Sequence, residues 1–139
     1  MADAVTSQTI QDGERLAIFK YTNISDGTGE TAVVKIDVAT LTPDHLGHAC
    51  SGVKIVKVWA QTQGMSVDIL WDASAPLICE TIPQNVMYRM KYDEFGGLPN
   101  NAGTGKTGNV SFTTVAHTAG DRYTIILEVI KTYANPTTW

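Results

Sequence analysis

The sequence predicts an all-β fold: an antiparallel β-sandwich, jelly-roll-like, of seven to nine strands in a single domain. Three observations lead there. Apolar and polar residues alternate with a period of two along most of the chain, the signature of a strand with one buried face. Turn signals such as Asp26-Gly27, Pro83, Ala119-Gly120-Asp121 and Ala134-Asn135-Pro136 interrupt it at short intervals. No segment shows a convincing 3.6-residue apolar period. At 139 residues the chain is long enough to bury about two thirds of its unfolded surface without disulfides or metals.

Residues 1–14 are polar, with Val5 and Ile10 the only large aliphatics after the first Met, and read as an extended N-terminal arm closing in a short strand. The domain proper spans 15–133, and 134–139 form a C-terminal tail. Arg15–Asn23 is strand-like and apolar on both faces. Thr31–Val38 sets Ala32, Val34, Ile36 and Val38 against Val33, Lys35 and Asp37. With the intervening Asp26-Gly27 turn, the two runs predict a hairpin. Ala39–Gly52 reads as a loop. In Val53–Gln63 the apolar residues change parity between Ile55 and Val56, which predicts a bulge. Met65, Val67, Ile69 and Trp71 line one face of the next strand, with Ser66, Asp68 and Asp72 opposite. Leu77–Ile82 is a short strand ended by Pro83. Val86, Tyr88, Met90 and Tyr92 alternate with Met87, Arg89 and Lys91. After a glycine-rich loop come Val110–Val115 and Tyr123–Tyr133. The last strand is apolar on both sides apart from Lys131, which predicts a central strand covered on both faces. Trp59 and Trp71 are expected in the core.

Charged residues make up only 17% of the chain, below the usual quarter. With 18 threonines, much of the surface is neutral and polar, as suits a protein lying against neighbours. The net charge is −4, and five acids against two bases in the first thirty residues account for −3 of it. This balance lacks the basic footprint of a nucleic-acid binder, so no nucleic-acid partner is expected. No apolar run approaches the roughly 18 residues of a membrane span, and the start MADAVTSQTI has no export-signal pattern. Synthesis in a cytoplasm is the expectation. There Cys50 and Cys79 favour two half-buried thiols over a disulfide.

Chemistry is scarce. Gly105-Lys106-Thr107 invites a phosphate-loop reading, but Asn100 stands where the motif needs glycine, and a strand follows instead of a helix. Asp44, His45, His48 and Cys50, with Cys79 further on, are the nearest approach to a metal cluster. Their spacing matches no structural zinc module, so a solvated loop is the better reading. Asp68 and Asp72 would lie about 13 Å apart along one strand, too far for a glycosidase pair. No serine sits in a G-x-S-x-G elbow, and nothing marks His117 as a base. No catalytic residue, cofactor or metal is assigned.

What remains are surfaces. The loop Phe95–Gly108 (FGGLPNNAGTGKTG) is longer than the usual connection of about 4–6 residues, and long loops tend to carry function. The candidate partner-binding residues are therefore Ile10 and Asp12 in the arm, Phe95, Leu98, Asn100, Asn101 and Lys106 in the loop, and Trp139 at the final position.

Four segments carry a family likeness: SQTIQDGERLAIFKYTNISDGTGE, VDILWDAS, EFGGLPNNAGTGKTGNVSFTT and GDRYTIILEVIK. Spanning about Thr6 to Tyr133, they resemble small virion proteins of tailed bacteriophages, described as head decoration, cement or structural proteins. The resemblance implies a β-rich, non-enzymatic protein that binds the outside of the capsid shell, with the major capsid protein as partner and the virion surface as its place. It carries no residue-level roles. A homo-oligomer, for example a trimer astride a local threefold axis, would multiply a small affinity per copy. Two alternatives stay open: another virion role, as a tail or head–tail joining protein that extends sheets between subunits, and a carbohydrate-binding β module. The latter would need exposed aromatics, for which Tyr88, Tyr92, Phe95 and Trp139 are the candidates.

Overall fold

A computed structural model describes residues 4–13, 15–43, 47, 50–92, 97–98, 107–116 and 118–133. Nine strands run in chain order: β1 (Ala4–Asp12), β2 (Leu16–Ile24), β3 (Val33–Ile36), β4 (Cys50–Gln63), β5 (Ser66–Trp71), β6 (Leu77–Ile82), β7 (Met87–Lys91), β8 (Val110–Val115) and β9 (Arg122–Tyr133). One short 3₁₀ turn, Val38–Thr40, follows β3, its first turn capped by the Asp37 carboxylate accepting from the Ala39 N–H. No α-helix occurs among the described residues.

The strands form two antiparallel sheets, ordered β1-β2-β9-β4-β7 and β3-β8-β5-β6. Setting β1 aside, this is the double four-stranded order of a jelly roll, in which successive strands alternate between the sheets except for the β5–β6 hairpin. The expected fold is therefore the observed one. β1 is a ninth strand laid along β2, so the N-terminal segment read as an arm is, over Ala4–Asp12, the edge of the larger sheet.

The inward faces of the two sheets share one core. In the larger sheet it is built from Ala17, Phe19, Tyr21, Ile55, Val58, Tyr123, Ile125, Leu127 and Val129, and in the smaller from Ile36, Val67, Ile69, Trp71, Ile82, Val110 and Phe112, all 7% exposed or less. Phe112 of β8 bridges the sheets. Its ring meets Tyr21 edge-on at 5.4 Å and Tyr123 at 5.9 Å, the T-shaped geometry that aromatic pairs prefer. Met65, Val67, Ile69 and Trp71 are all buried, as their alternation predicts. The parity change at Ile55 and Val56 is a bulge, with the β4–β9 register shifting between Ile55 and Lys57.

The predicted hairpin is not formed. β2 and β3 lie in different sheets, and β3 pairs with β8. The connection between them is anchored to the far side of the sandwich instead: the Glu30 N–H donates to Thr114 Oγ1 at 2.8 Å, and the Thr114 N–H to the Glu30 carbonyl at 3.0 Å. These bonds carry the chain across, and the strand expected over Thr31–Val38 contracts to four residues. Its register shifts between Val34 and Ile36, so the expected alternation fails: Val34 is 44% exposed while the Lys35 side chain is 3% exposed.

Two buried ion pairs hold the chain connections. Lys35 pairs with Glu30, whose carboxylate also accepts from Asn23 Nδ2 at 2.8 Å and from the Tyr123 hydroxyl at 2.5 Å. Lys131, its side chain fully enclosed, pairs with Asp12 and donates to the carbonyls of Gly13 (2.6 Å) and Thr42 (3.0 Å). The apparent interruption of β9 by Lys131 is thus the tie that fixes the end of β1 and the segment after the 3₁₀ turn.

Ahead of β8 the chain is held at Leu98 and at Thr107. Leu98 forms a two-way bridge with Ile55 on β4, at 2.8 and 3.2 Å, and the Thr107 N–H donates to the Asp72 carbonyl at 3.1 Å. Gly108, at φ +88°, presses so closely on β4 that a Cβ there would lie 2.0 Å from the Ser51 carbonyl oxygen. Only glycine fits that approach.

Candidate docking surface

The residues that could act on a partner gather on the outer face of the larger sheet, and strand register is what assembles them. On each strand every second side chain points outward. The pairings place Lys20 beside Ile126, Ile126 beside Trp59 and Trp59 beside Arg89 in one row across β2, β9, β4 and β7. The next row holds Ile18, Glu128, Lys57 and Lys91, and the one on the other side Thr22, Thr124, Gln61 and Met87. Arg122 lies beside Ile24 and Gln63, and Lys54 beside Ile130.

Among the described residues, six of the chain's ten lysines and arginines therefore share this face with one carboxylate, Glu128. Its described residues carry a formal +5 in a chain of net −4. Lys57 and Lys91 stand directly opposite one another across β4 and β7. Like charges so placed destabilise a sheet, and Glu128, 3.6 Å from Lys57, offsets one of the two. An anionic partner would relieve the other.

Within this basic field lies a shallow apolar cleft of about 290 Å³ lined by Trp59, Ala60, Met87 and Ile126, with Gln61, Arg89 and Thr124. Met87 is 85% exposed and Ile130 37%. Two sequence expectations change here. Trp59, expected in the core, is half-buried and faces outward, because the bulge at Ile55–Lys57 reverses the parity of β4 beyond it. β9 is central as expected, but it is covered on its inner side only.

The residues singled out from the sequence fall elsewhere. Ile10, at the β1 irregularity, is 55% exposed and open to a partner. Asp12 is engaged internally by Lys131 and by the Thr42 N–H at 3.1 Å. Leu98 packs against the core. Phe95, Asn100, Asn101, Lys106 and Trp139 lie outside the described residues, as do Asp44, His45, His48 and His117. Of the aromatics proposed for sugar stacking, Tyr92 is buried and its hydroxyl is bonded to Glu80.

Neither cysteine is in a disulfide. Cys50 is buried at the start of β4, donating its Sγ–H to the Gly52 carbonyl at 3.1 Å, while Cys79 lies on β6 in the other sheet. Burial, reinforced by the Glu80 charge, pushes the Cys79 thiol up to about 12, and burial also raises Cys50. Both are therefore poor nucleophiles. Among the described residues no group of three His, Cys, Asp or Glu side chains could hold a metal ion. No helix among them is long and apolar enough to cross a membrane.

No protein-family model matches the chain, and a search of curated proteins finds no match to it.

Proposed function

We propose that the chain is a structural protein of a tailed-phage virion that decorates the outside of the capsid shell, gripping the major capsid protein through the outer face of its larger sheet. The observation that carries this reading is that face: six cations around an apolar cleft with a tryptophan and an exposed methionine. Such an anatomy suits a protein interface, where Trp, Met and Arg are enriched and an apolar centre is ringed by polar groups. The jelly roll is compatible, being common in viral shells and lectins, though fold alone assigns no function. The resemblance of four segments to decoration proteins supports the major capsid protein as the partner. In this reading the protein is a binder made in the host cytoplasm, without catalytic activity or cofactor.

Co-sedimentation with expanded empty capsids tests it. Binding is expected to weaken with rising salt, because the attraction is between screened surface charges. Trp59→Ala should cost about 2 kcal/mol of binding, roughly thirtyfold, and Lys57→Glu with Lys91→Glu about tenfold or more. Trp59→Ala should keep the unfolding midpoint near that of the parent, since that side chain lies outside the core, whereas the double glutamate variant, which places two carboxylates in the row of Glu128, should lower it modestly. A protein that fails to bind capsids at any salt concentration removes the proposal.

One observation favours a second reading. Trp59 beside Arg89 and Gln61 forms a flat, partly apolar platform of the kind that stacks on sugar rings. Hits on a glycan array that vanish with Trp59→Ala would replace capsid docking by carbohydrate recognition.

A further inference from the structure

We propose that β1 is a self-pairing edge: two copies of the chain join antiparallel along β1, about a twofold axis normal to the sheet, and continue the larger sheet from one copy into the other. The inference stands on the edge itself and is independent of what the outer face binds.

The sandwich has four edge strands, β1 and β7 in one sheet and β3 and β6 in the other. Sheet edges carry unpaired backbone donors and acceptors, and proteins block them with short strands, charges, prolines or bulges. Three of the four are blocked in this way. β3 has four residues and an irregular register. β6 contains Glu80, is bulged at Cys79 and is followed at once by Pro83. β7 has five residues, including Arg89 and Lys91.

β1 is the least protected: its register against β2 shifts once, at Ile10, and residues 4–9 ahead of that shift pair regularly. It has nine residues, AVTSQTIQD, with no proline and no charge before Asp12, whose carboxylate is already held by Lys131. Its residues Val5 to Ile10 are all exposed. They are exposed even on the inward side, where Val5, Ser7 and Thr9 pair with the buried Asn23, Tyr21 and Phe19. Among the described residues β2 alone pairs with β1, and Val5 to Ile10 stay exposed, the inward side bordering a cavity shared with Lys35, Asp37 and Thr40.

A second copy suits this edge because the strand is complementary to itself. In a register centred on Ser7, Thr6 would face Gln8 of the second copy and Val5 would face Thr9, so that no like charges meet. Hydroxyl and amide side chains would hydrogen-bond across the seam, as such cross-strand pairs do. The same symmetry is isologous and closed, giving a dimer and not a filament. It also sets both basic faces on the same side of the joined sheet. A surface contacted by one face is then contacted by two, and the second contact gains from effective concentration.

Because one strand pair is small beside a standard interface, association should depend on concentration. Sedimentation velocity is expected to show a monomer–dimer equilibrium between micromolar and millimolar protein. Ser7→Lys should abolish the dimer by placing two lysines face to face, while circular dichroism stays that of the parent. Gln8→Lys, which in this register faces Thr6 of the second copy and not another lysine, should weaken the dimer less than Ser7→Lys does. In a Cys79→Ser background, Ser7→Cys should form an intermolecular disulfide on mild oxidation, since facing Cα atoms in an antiparallel pair lie about 4.5–5.5 Å apart, within disulfide reach. Ser66→Cys, on the other sheet, should not. A protein that stays monomeric at millimolar concentration, a dimer that survives Ser7→Lys, or a trimer or ring would each overturn the proposal.

Discussion

Glu30→Ala is expected to lower the unfolding free energy by about 3–5 kcal/mol, the usual cost of breaking a buried ion pair from one side. Lys35 and Glu30 are enclosed at 3% and 5% side-chain exposure, and the Lys35 ammonium sits 5.8 Å from the centre of the Phe112 ring. Without Glu30 that ammonium has lost its counter-charge in an apolar setting. The Tyr123 hydroxyl and the Asn23 amide lose the acceptor they share. Because these groups line the crossing from β2 to β3, the damage falls on the connection that places the two strands in separate sheets. Urea unfolding with an unchanged m-value would report it as a lower midpoint. The paired substitution Glu30→Leu with Lys35→Met should recover much of the loss, since well-packed apolar replacements of buried pairs are often neutral or stabilising. If Glu30→Ala were as stable as the parent, the network would not be holding the crossover.

Lys131→Ala is expected to cost about 3 kcal/mol, toward the lower end for a buried pair because the Asp12 carboxylate keeps some access to water. Three acceptors lose their donor together: Asp12, the Gly13 carbonyl and the Thr42 carbonyl. Asp12 also gives this tie a pH dependence. Burial raises its pKa, but the hydrogen bond from Lys131, those from Thr42 and the Lys131 charge outweigh burial and hold the carboxyl below its usual value. A carboxyl more acidic in the folded state than in the unfolded one stabilises the fold fully above the unfolded value of about 3.9, and loses that contribution as the pH falls through the folded one. Asp12→Asn should therefore be less stable than the parent at neutral pH, with the gap closing below about pH 4. Unfolding midpoints at pH 7 and pH 3 check this. A gap of the same size at both would mean that the charge contributes nothing.

Local pattern went a long way in this chain. The alternation Met65, Val67, Ile69, Trp71 marked β5 and its buried face, because a half-buried strand must repeat every two residues. The parity change at Ile55–Val56 located the β4 bulge for the same reason. Where the pattern misled, a distant partner had overridden it. Lys35 reads as a surface residue in an amphipathic strand, yet Glu30 draws it inward. The Thr31–Val38 run reads as the second arm of a hairpin, yet Thr114, more than eighty residues away, holds its approach in the other sheet. Trp59 reads as core because large aromatics usually are, and the bulge that turns it outward acts on parity in a way the residue type does not reveal.

The basic outer face of the larger sheet was the least legible feature. Its six cations are scattered from Lys20 to Arg122, in a chain whose overall charge is negative, so composition argued against any basic face. Composition and periodicity by themselves determined that the protein is a single antiparallel β domain, because burial on one side of a strand writes itself into alternate residues. Which strands are neighbours, and hence which charges share a face, was decided only by the tertiary structure. Pairing register depends on contacts between residues far apart in sequence, and no local pattern encodes it.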